Sequence, residues 1–104
     1  MVSIRNGDNP VFLLLLTYTK PLAEIDAHLP AHREFLARYY AGGHFICSGR
    51  QEPRVGGVIL CRAGSRDEAE AITREDPFWQ NGVADYSIVE FAPTKYSEGF
   101  ERFL

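Results

Sequence analysis

The sequence has few cysteines, no long apolar run and no excess of basic residues. Its two cysteines, Cys47 and Cys61, lack the C-x-x-C spacing of zinc and redox sites, and we interpret both as buried thiols. The longest apolar run, from Val11 to Leu16, is far shorter than the roughly 20 residues that span a bilayer. Polar residues precede this run and no small-residue cleavage site follows it, which argues against a signal peptide. We therefore expect a cytoplasmic protein with no membrane partner.

Charge and composition favour one ordinary globular domain. The 104 residues include 14 acidic and 11 basic side chains, for a formal net charge of −3, and 45% are apolar. This length suits one domain with its own core, and the mixed charge gives no electrostatic reason to expect a nucleic acid as partner. Arg50, Arg54 and Arg62 cluster loosely around one predicted turn, and we interpret them as ordinary surface residues.

Apolar runs and their breaks predict the order β-α-β-β-α-β within a single domain, residues 1–104. Pro30 begins the first helix and Gly42-Gly43 ends it, whereas Ser65 and Glu68 form a capping box that begins the second helix. The predicted strands are Val11 to Tyr18, His44 to Cys47, Val58 to Cys61 and residues 83–91, and residues 21–29 form a connector or a short helical turn.

The two ends of the chain have different compositions. Residues 1–10 are polar and predict a loose N-terminal arm. Residues 94–104 contain three aromatic side chains, which is too apolar for a free tail. We therefore expect this tail to dock on its own domain or on a partner.

The order of elements predicts an α+β fold of ferredoxin-like type. Two split β-α-β halves give a four-stranded antiparallel sheet in the order 4-1-3-2, with both helices on one face. The first strand is apolar on both of its faces, so the face without helices also needs a cover. Packing two sheets face to face is the simplest cover for a small chain, and it predicts a homodimer through the sheet face.

This topology brings one histidine and one aspartate to the same end of the sheet. His32 lies in the first turn of the first helix, on the same stripe as Phe35, and Asp76 follows the inward-facing Ile72 of the second helix by four residues. A His–Asp pair would let the imidazole act as a general base while the carboxylate orients it. The alternative is a structural pair, with a hydrogen-bonded histidine at the rim of the core and an aspartate that ends a helix before proline.

Further polar residues are predicted at the same end. Tyr18 closes the first strand, and Ser48, Gly49 and Arg50 close the second, where they are candidates for binding a substrate oxygen or carboxylate. A turn is the alternative for Ser48-Gly49. His28 and His32 lack a third ligand nearby, so we predict no metal site.

Several short segments together resemble the YciI-like (YCII-related) family. They are Leu16-Thr-Tyr18, Pro30-Ala-His-Arg-Glu-Phe-Leu36, Ser48-Gly49, Gly56-Gly57-Val58-Ile59-Leu60 and Asp76-Pro77-Phe78, and the resemblance covers roughly residues 11–92. The family implies a dimeric α+β barrel related to muconolactone isomerases, with an active site built on His and Asp, here His32 and Asp76. Many members have R-x-x-H at the start of the first helix, whereas this chain has His32-Arg-Glu-Phe35, with its histidine one turn earlier.

Two functions of different classes follow. The first is a cofactor-free enzyme of isomerase or lyase type, in which His32 moves a proton on a small molecule and Asp76 orients the imidazole. The second is a non-catalytic dimeric module that binds a small ligand or a protein through the same cavity or the dimer surface. An imidazole that faces an empty pocket favours the enzyme, and a His32 with two structural hydrogen bonds favours the module.

Overall fold

A computed structural model describes residues 10–104. Its elements, in chain order, are β1 (Val11–Tyr18), α1 (Leu22–Ala27), α2 (Leu29–Ala41), β2 (Phe45–Arg50), β3 (Gly56–Arg62), α3 (Arg66–Thr73), α4 (Pro77–Gln80), β4 (Ala84–Phe91) and a 3₁₀ turn (Phe100–Phe103). Residues 1–9 of the predicted N-terminal arm lie outside the described residues. No helix in the described part of the chain is both long and apolar enough to cross a membrane.

The four strands form one antiparallel sheet in the order β2-β3-β1-β4. This confirms the predicted α+β architecture and the predicted strand order. The most apolar strand, β1, lies in the centre of the sheet, where β3 and β4 pair with its two edges. Leu14 of β1, for example, lies opposite Ile59 of β3 on one side and Ile88 of β4 on the other.

The helices cover one face of this sheet, and the main core lies between the helices and the sheet. Phe12 and Leu14 are two positions apart on β1, so both side chains point to this face, and both are fully buried. Phe35 of α2 packs in the same core and is also fully buried. Burial of a side chain of this size stabilises the fold by about 1.5–3 kcal/mol. Ser65 caps α3 as predicted, because its hydroxyl accepts a hydrogen bond from the Glu68 amide at 3.1 Å.

Two short helices add detail that the sequence pattern did not give. The predicted connector of residues 21–29 contains α1, whose Ile25 is fully buried in a second core cluster with Leu16 and Phe78. Asp76 was expected at the C-terminal end of the second helix, but it begins α4 instead. Its carboxylate accepts from the Phe78 amide, and Pro77 takes the first helical position. The Asp-Pro pair thus begins a helix as well as separating it from α3.

The other face of the sheet is apolar, and none of the α-helices among residues 10–104 covers it. Leu13 and Leu15 of β1 are half-buried there, and Val89 and Phe91 of β4 are 45% and 42% exposed. We call these four residues, with Leu60 of β3, the open face. Cys47 pairs with Leu60 on this side and is exposed, which corrects its interpretation as a buried thiol. Cys61 is buried as expected, and this burial raises the pKa of its thiol to about 12.

The end of the C-terminal segment lies near the last residue of β3, Arg62. The Arg62 guanidinium donates to the backbone oxygen of Leu104 at 3.4 Å, and the rings of Phe100 and Phe103 lie 5.7 Å apart. Docking of residues 94–104 as a stabilising element stays a prediction.

We predict that Gly56→Ala destabilises the protein strongly. A Cβ atom at Gly56 would lie 1.8 Å from the backbone oxygen of Leu16 on the neighbouring strand β1. The backbone must shift to accept it, at a cost of at least about 1–3 kcal/mol in the free energy of unfolding, measured by urea denaturation. Gly49→Ala is the matched control, because nothing lies within 4 Å of a Cβ atom there. Equal stability of the two variants would contradict this account of the strand contact.

Candidate active site

The fold brings His32 of α2 and Asp76 at the start of α4 into direct contact. His32 Nδ1 lies 2.8 Å from Asp76 Oδ1, and the two residues are separated by 44 positions in the sequence. The predicted approach of these two side chains is therefore confirmed, and their catalytic role stays a prediction. The contact is buried, since Asp76 is fully inaccessible to solvent and His32 is 9% exposed.

Asp76 has two further partners, and each of them donates a hydrogen bond. The Phe78 amide donates to Oδ1 at 2.9 Å, and the Tyr86 hydroxyl donates to Oδ2 at 2.5 Å. Burial raises the pKa of Tyr86 above its ordinary value of 10.0, and the charge of Asp76 adds to this effect, so Tyr86 keeps its proton. Since Asp76 is an acceptor at both oxygens, the His32 imidazole supplies its own Nδ1–H as the third donor.

Ring packing orients the imidazole. The His32 ring stacks on Phe78 with 4.1 Å between centroids and 8° between planes. Among residues 10–104, no group forms a hydrogen bond to Nε2, and His32 lines a cavity. With its proton on Nδ1, the neutral imidazole presents the lone pair of Nε2 toward this cavity. The pair therefore has the geometry of a base oriented by a buried carboxylate.

The cavity has a volume of about 410 Å³ and is half-enclosed. It lies on the helix side of the sheet, between α1, α2 and the adjoining ends of β1, β2 and β3. Its wall is largely apolar, and within residues 10–104 its charged groups are three arginines and one aspartate. The apolar lining includes Leu16, Leu29, Leu36, Ile59 and Phe78, the charged lining is Asp26, Arg33, Arg50 and Arg54, and Tyr18, His32, Ser48 and Gly49 lie among them.

All four residues predicted to bind a substrate line this cavity together with His32: Tyr18, Ser48, Gly49 and Arg50. Two of them already have polar partners. The Ser48 and Tyr40 hydroxyls lie 2.7 Å apart, and Arg50 Nε donates to a Glu52 carboxylate oxygen at 2.9 Å. Their role in binding stays a prediction.

Sequence reasoning missed several residues of the site. Tyr86 points to the helix face of β4 between Ala84 and Ile88, and the alternation of that strand was a signal that its hydroxyl faces inward. Arg54, which was interpreted as an ordinary surface residue, is half-buried and lines the cavity. Arg54 donates to Asp26 Oδ1 at 2.6 Å and so joins the β2–β3 loop to α1.

Two residues near this end of the sheet do not line the cavity. Thr17 is exposed, and Trp79 packs its ring against the Arg74 guanidinium at 5.3 Å. Within residues 10–104, no group of three or more His, Cys, Asp or Glu side chains is arranged to hold a metal ion.

Comparisons with known proteins find one matching family profile and similar solved structures. The sequence profile of the YCII-related domain matches residues 11–92. A 5-chloro-2-hydroxyhydroquinone dehydrochlorinase, TftG from Burkholderia phenoliruptrix AC1100, solved with 2,5-dihydroxybenzoquinone, has a similar structure, with a TM-score of 0.66 and 17% identity over 88% of this chain and 97% of that chain. SnoaB, a cofactor-independent oxygenase from Streptomyces nogalater, has a TM-score of 0.49 and 13% identity over 88% of this chain and 98% of that one. No curated protein matches the chain significantly.

We predict that Tyr86→Phe destabilises the protein by about 1–3 kcal/mol at pH 7, because it leaves a buried carboxylate oxygen without its donor. The raised pKa of Tyr86 fixes the pH dependence. Its contribution is complete below pH 10 and is lost as the pH rises further, since the unfolded chain then releases the proton more readily than the folded chain. The difference in stability between wild type and variant should therefore shrink above about pH 10.

Urea denaturation across this pH range measures the difference. Tyr40→Phe is the control, because its exposed hydroxyl contacts only Ser48 among the hydrogen-bond partners in the described chain. A Tyr86→Phe variant as stable as Tyr40→Phe would contradict the assignment of Tyr86 as a donor to Asp76.

Proposed function

The chain belongs to the YCII-related domain family, and from this premise we propose that it is an enzyme of isomerase or lyase type that moves a proton on a small molecule without a cofactor. One observation carries the proposal. Nδ1 of His32 is bonded to a fully buried carboxylate, while Nε2 has no partner in the described chain and the residue lines a cavity. In this arrangement the imidazole is positioned to accept a proton and a substrate has room beside it.

The proposed step is abstraction of a proton from a carbon next to a carbonyl group. The Nε2 lone pair takes the proton, the C–H electron pair forms a carbon–carbon double bond, and the carbonyl electron pair moves to oxygen. In an isomerase the imidazolium returns the proton to a different atom. In a lyase the enolate electrons expel a leaving group from the adjacent carbon. Asp76 stabilises the imidazolium in both cases, and Tyr86 and the Phe78 amide hold Asp76 in place.

The size and lining of the cavity support a small substrate. Its volume of about 410 Å³ is within the range of small-molecule sites, and apolar walls with a few polar groups are typical of them. The ligand of the similar dehydrochlorinase, 2,5-dihydroxybenzoquinone, is a compound with one ring. Single-ring quinones, lactones and 2-oxo acids are therefore reasonable first test compounds.

The second candidate function is a non-catalytic module that binds a ligand through the same cavity. It predicts that His32 has structural partners at both ring nitrogens. Within residues 10–104, the His32 imidazole has one hydrogen bond, to Asp76, so its geometry favours the enzyme.

We predict that the wild-type protein exchanges a carbon-bound proton of at least one such compound for deuterium, followed by ¹H NMR in D₂O. His32→Asn should slow this exchange by about 10²–10⁴-fold, because it removes the group that carries the proton. His44→Asn is the matched control, since its imidazole bonds the backbone oxygen of Arg62 and does not line the cavity.

The same variants separate a catalytic from a structural histidine. A His32→Asn variant that exchanges as fast as wild type, but unfolds more easily by about 1–3 kcal/mol, would show a structural role. No exchange by wild type with any compound of the panel would favour the binding module.

We further propose that two copies pair through the open face into a homodimer, as in the dimeric α+β barrel that the sequence predicts. Val89 and Phe91 expose much of their surface in one protomer, and Leu13 and Leu15 lie beside them. An apolar surface of this kind marks an interface, and two sheets pack face to face at a spacing of about 10 Å. We also propose that residues 94–104 pack on the protomer or its partner, close to this face.

We predict a dimer at micromolar concentration, measured by sedimentation velocity, with at least roughly 2,000 Å² buried in total. Val89→Glu should give monomers, because the charge would be buried in the interface but stays in water in the protomer. Ala71→Glu, on the exposed side of α3, is the control and should remain dimeric. A monomeric wild-type protein would overturn the proposal.

A further inference from the structure

The charge of the cavity is opposite to that of the protein. The chain has a net charge of −3, yet three of the four described residues with a full charge that line the cavity are arginines: Arg33, Arg50 and Arg54. Asp26 is the fourth. A recess lined by one sign of charge concentrates field lines and attracts small ions of the other sign.

The three arginines differ in whether a carboxylate of the chain already pairs with the guanidinium group. Arg50 pairs with Glu52 at 2.9 Å, and Arg54 pairs with Asp26 at 2.6 Å. Within residues 10–104, no carboxylate or other acceptor bonds the Arg33 guanidinium. Arg33 also follows His32 directly in α2, so the free cation and the proposed base are on the same turn of one helix.

Arg54 is fixed at the wall of the cavity, where its ion pair with Asp26 offsets its charge. Its bond to Asp26 ties the β2–β3 loop to α1, and this bond, with a smaller contribution from Tyr18, raises the pKa of the guanidinium. Arg54 is therefore held in position at the cavity, while Arg33 keeps its hydrogen-bond donors for a ligand.

We propose that the cavity binds a small aromatic or alicyclic carboxylate, with its carboxylate on Arg33 and its ring against the apolar wall. The planar guanidinium matches a carboxylate in two parallel hydrogen bonds. Leu29, Leu36 and Phe78 supply the surface for the ring, beside Nε2 of His32. This inference deepens the proposed function by naming its substrate class, and it rests on that function only for what happens to the ligand after it binds.

Arg33 is thereby a specificity-determining residue. A site that commits a charged donor to a ligand rejects the neutral analogue, because the analogue leaves the donor without its acceptor. Ser48 and Arg50, which the sequence suggested as substrate-binding residues, already have hydrogen-bond partners in the chain. In this proposal they contact the ring or a second oxygen of the ligand.

The test compares benzoate with benzamide, its neutral analogue of similar shape, and salicylate with salicylamide in the same way. Binding is measured by isothermal titration calorimetry with the full chain. We expect each acid to bind more tightly than its amide, and the acid's affinity to fall as salt is added. Arg33→Gln should weaken binding of the acid by about tenfold and leave binding of the amide unchanged.

Arg38→Gln is the matched control. Arg38 lies on the same helix, its side chain is 58% exposed, and it does not line the cavity, so the variant changes the net charge equally. Equal affinity for acid and amide, no binding of either acid at tens of millimolar, or equal losses in the two variants would each overturn the proposal.

Repeating the titration with His32→Asn separates this proposal from the proposed function. The Arg33 subsite needs no base, so we expect the preference of acid over amide to persist in that variant. If it persists while wild type shows no deuterium exchange, the carboxylate site stands and the enzyme proposal fails. If exchange depends on His32 but the preference is missing, the enzyme proposal stands and the carboxylate site fails.

Discussion

The candidate site depends on satisfying one fully buried carboxylate. Taking an ionised carboxylate out of water costs several kcal/mol unless its oxygens are bonded, and Asp76 has partners from three elements: the His32 ring on α2, the Phe78 amide on α4 and the Tyr86 hydroxyl on β4. Because these three groups come from separate parts of the chain, the position of Asp76 fixes where α2 lies relative to the end of the sheet. The same hydrogen bonds that make the burial of Asp76 possible also set the direction in which the imidazole faces. Stability and the proposed chemistry are therefore coupled at this residue.

The contact between His32 and Asp76 could be predicted from the sequence, but the other partners of Asp76 could not. The order β-α-β-β-α-β makes the helix ends meet, so the approach of His32 and Asp76 followed from topology alone. The Asp-Pro pair was interpreted as a helix stop, but it also fits a helix start, with aspartate as the cap and proline in the first turn. Tyr86 required the register of β4, because a shift by one residue would turn its hydroxyl to the other face.

The sequence pattern predicted the strand order but not the charged residues that line the cavity, because their positions depend on tertiary packing. The order β-α-β-β-α-β, read as two split β-α-β halves, predicted the sheet order, and the central place of the most apolar strands fits that order. The arginines of the cavity gave no such signal. Arg54 acquires its role through a contact with Asp26, 28 positions away, which depends on how the β2–β3 loop folds over α1. Arg33 carries no pattern of its own, because a charged residue after the first turn of a helix most often faces solvent.

The two faces of β1 divide the proposed roles of the protein between them. Leu14 and Leu16 point to the helices, and Leu16 contributes to the cavity, whereas Leu13 and Leu15 point to the open face. The cavity is lined by Leu16 of β1 and Gly57 of β3, beside a strand contact that Gly56 permits because it has no Cβ atom. A shift of β1 by one residue would exchange both sets of side chains at once. The geometry of the cavity and the surface proposed for dimerisation are thus constrained by the register of a single strand.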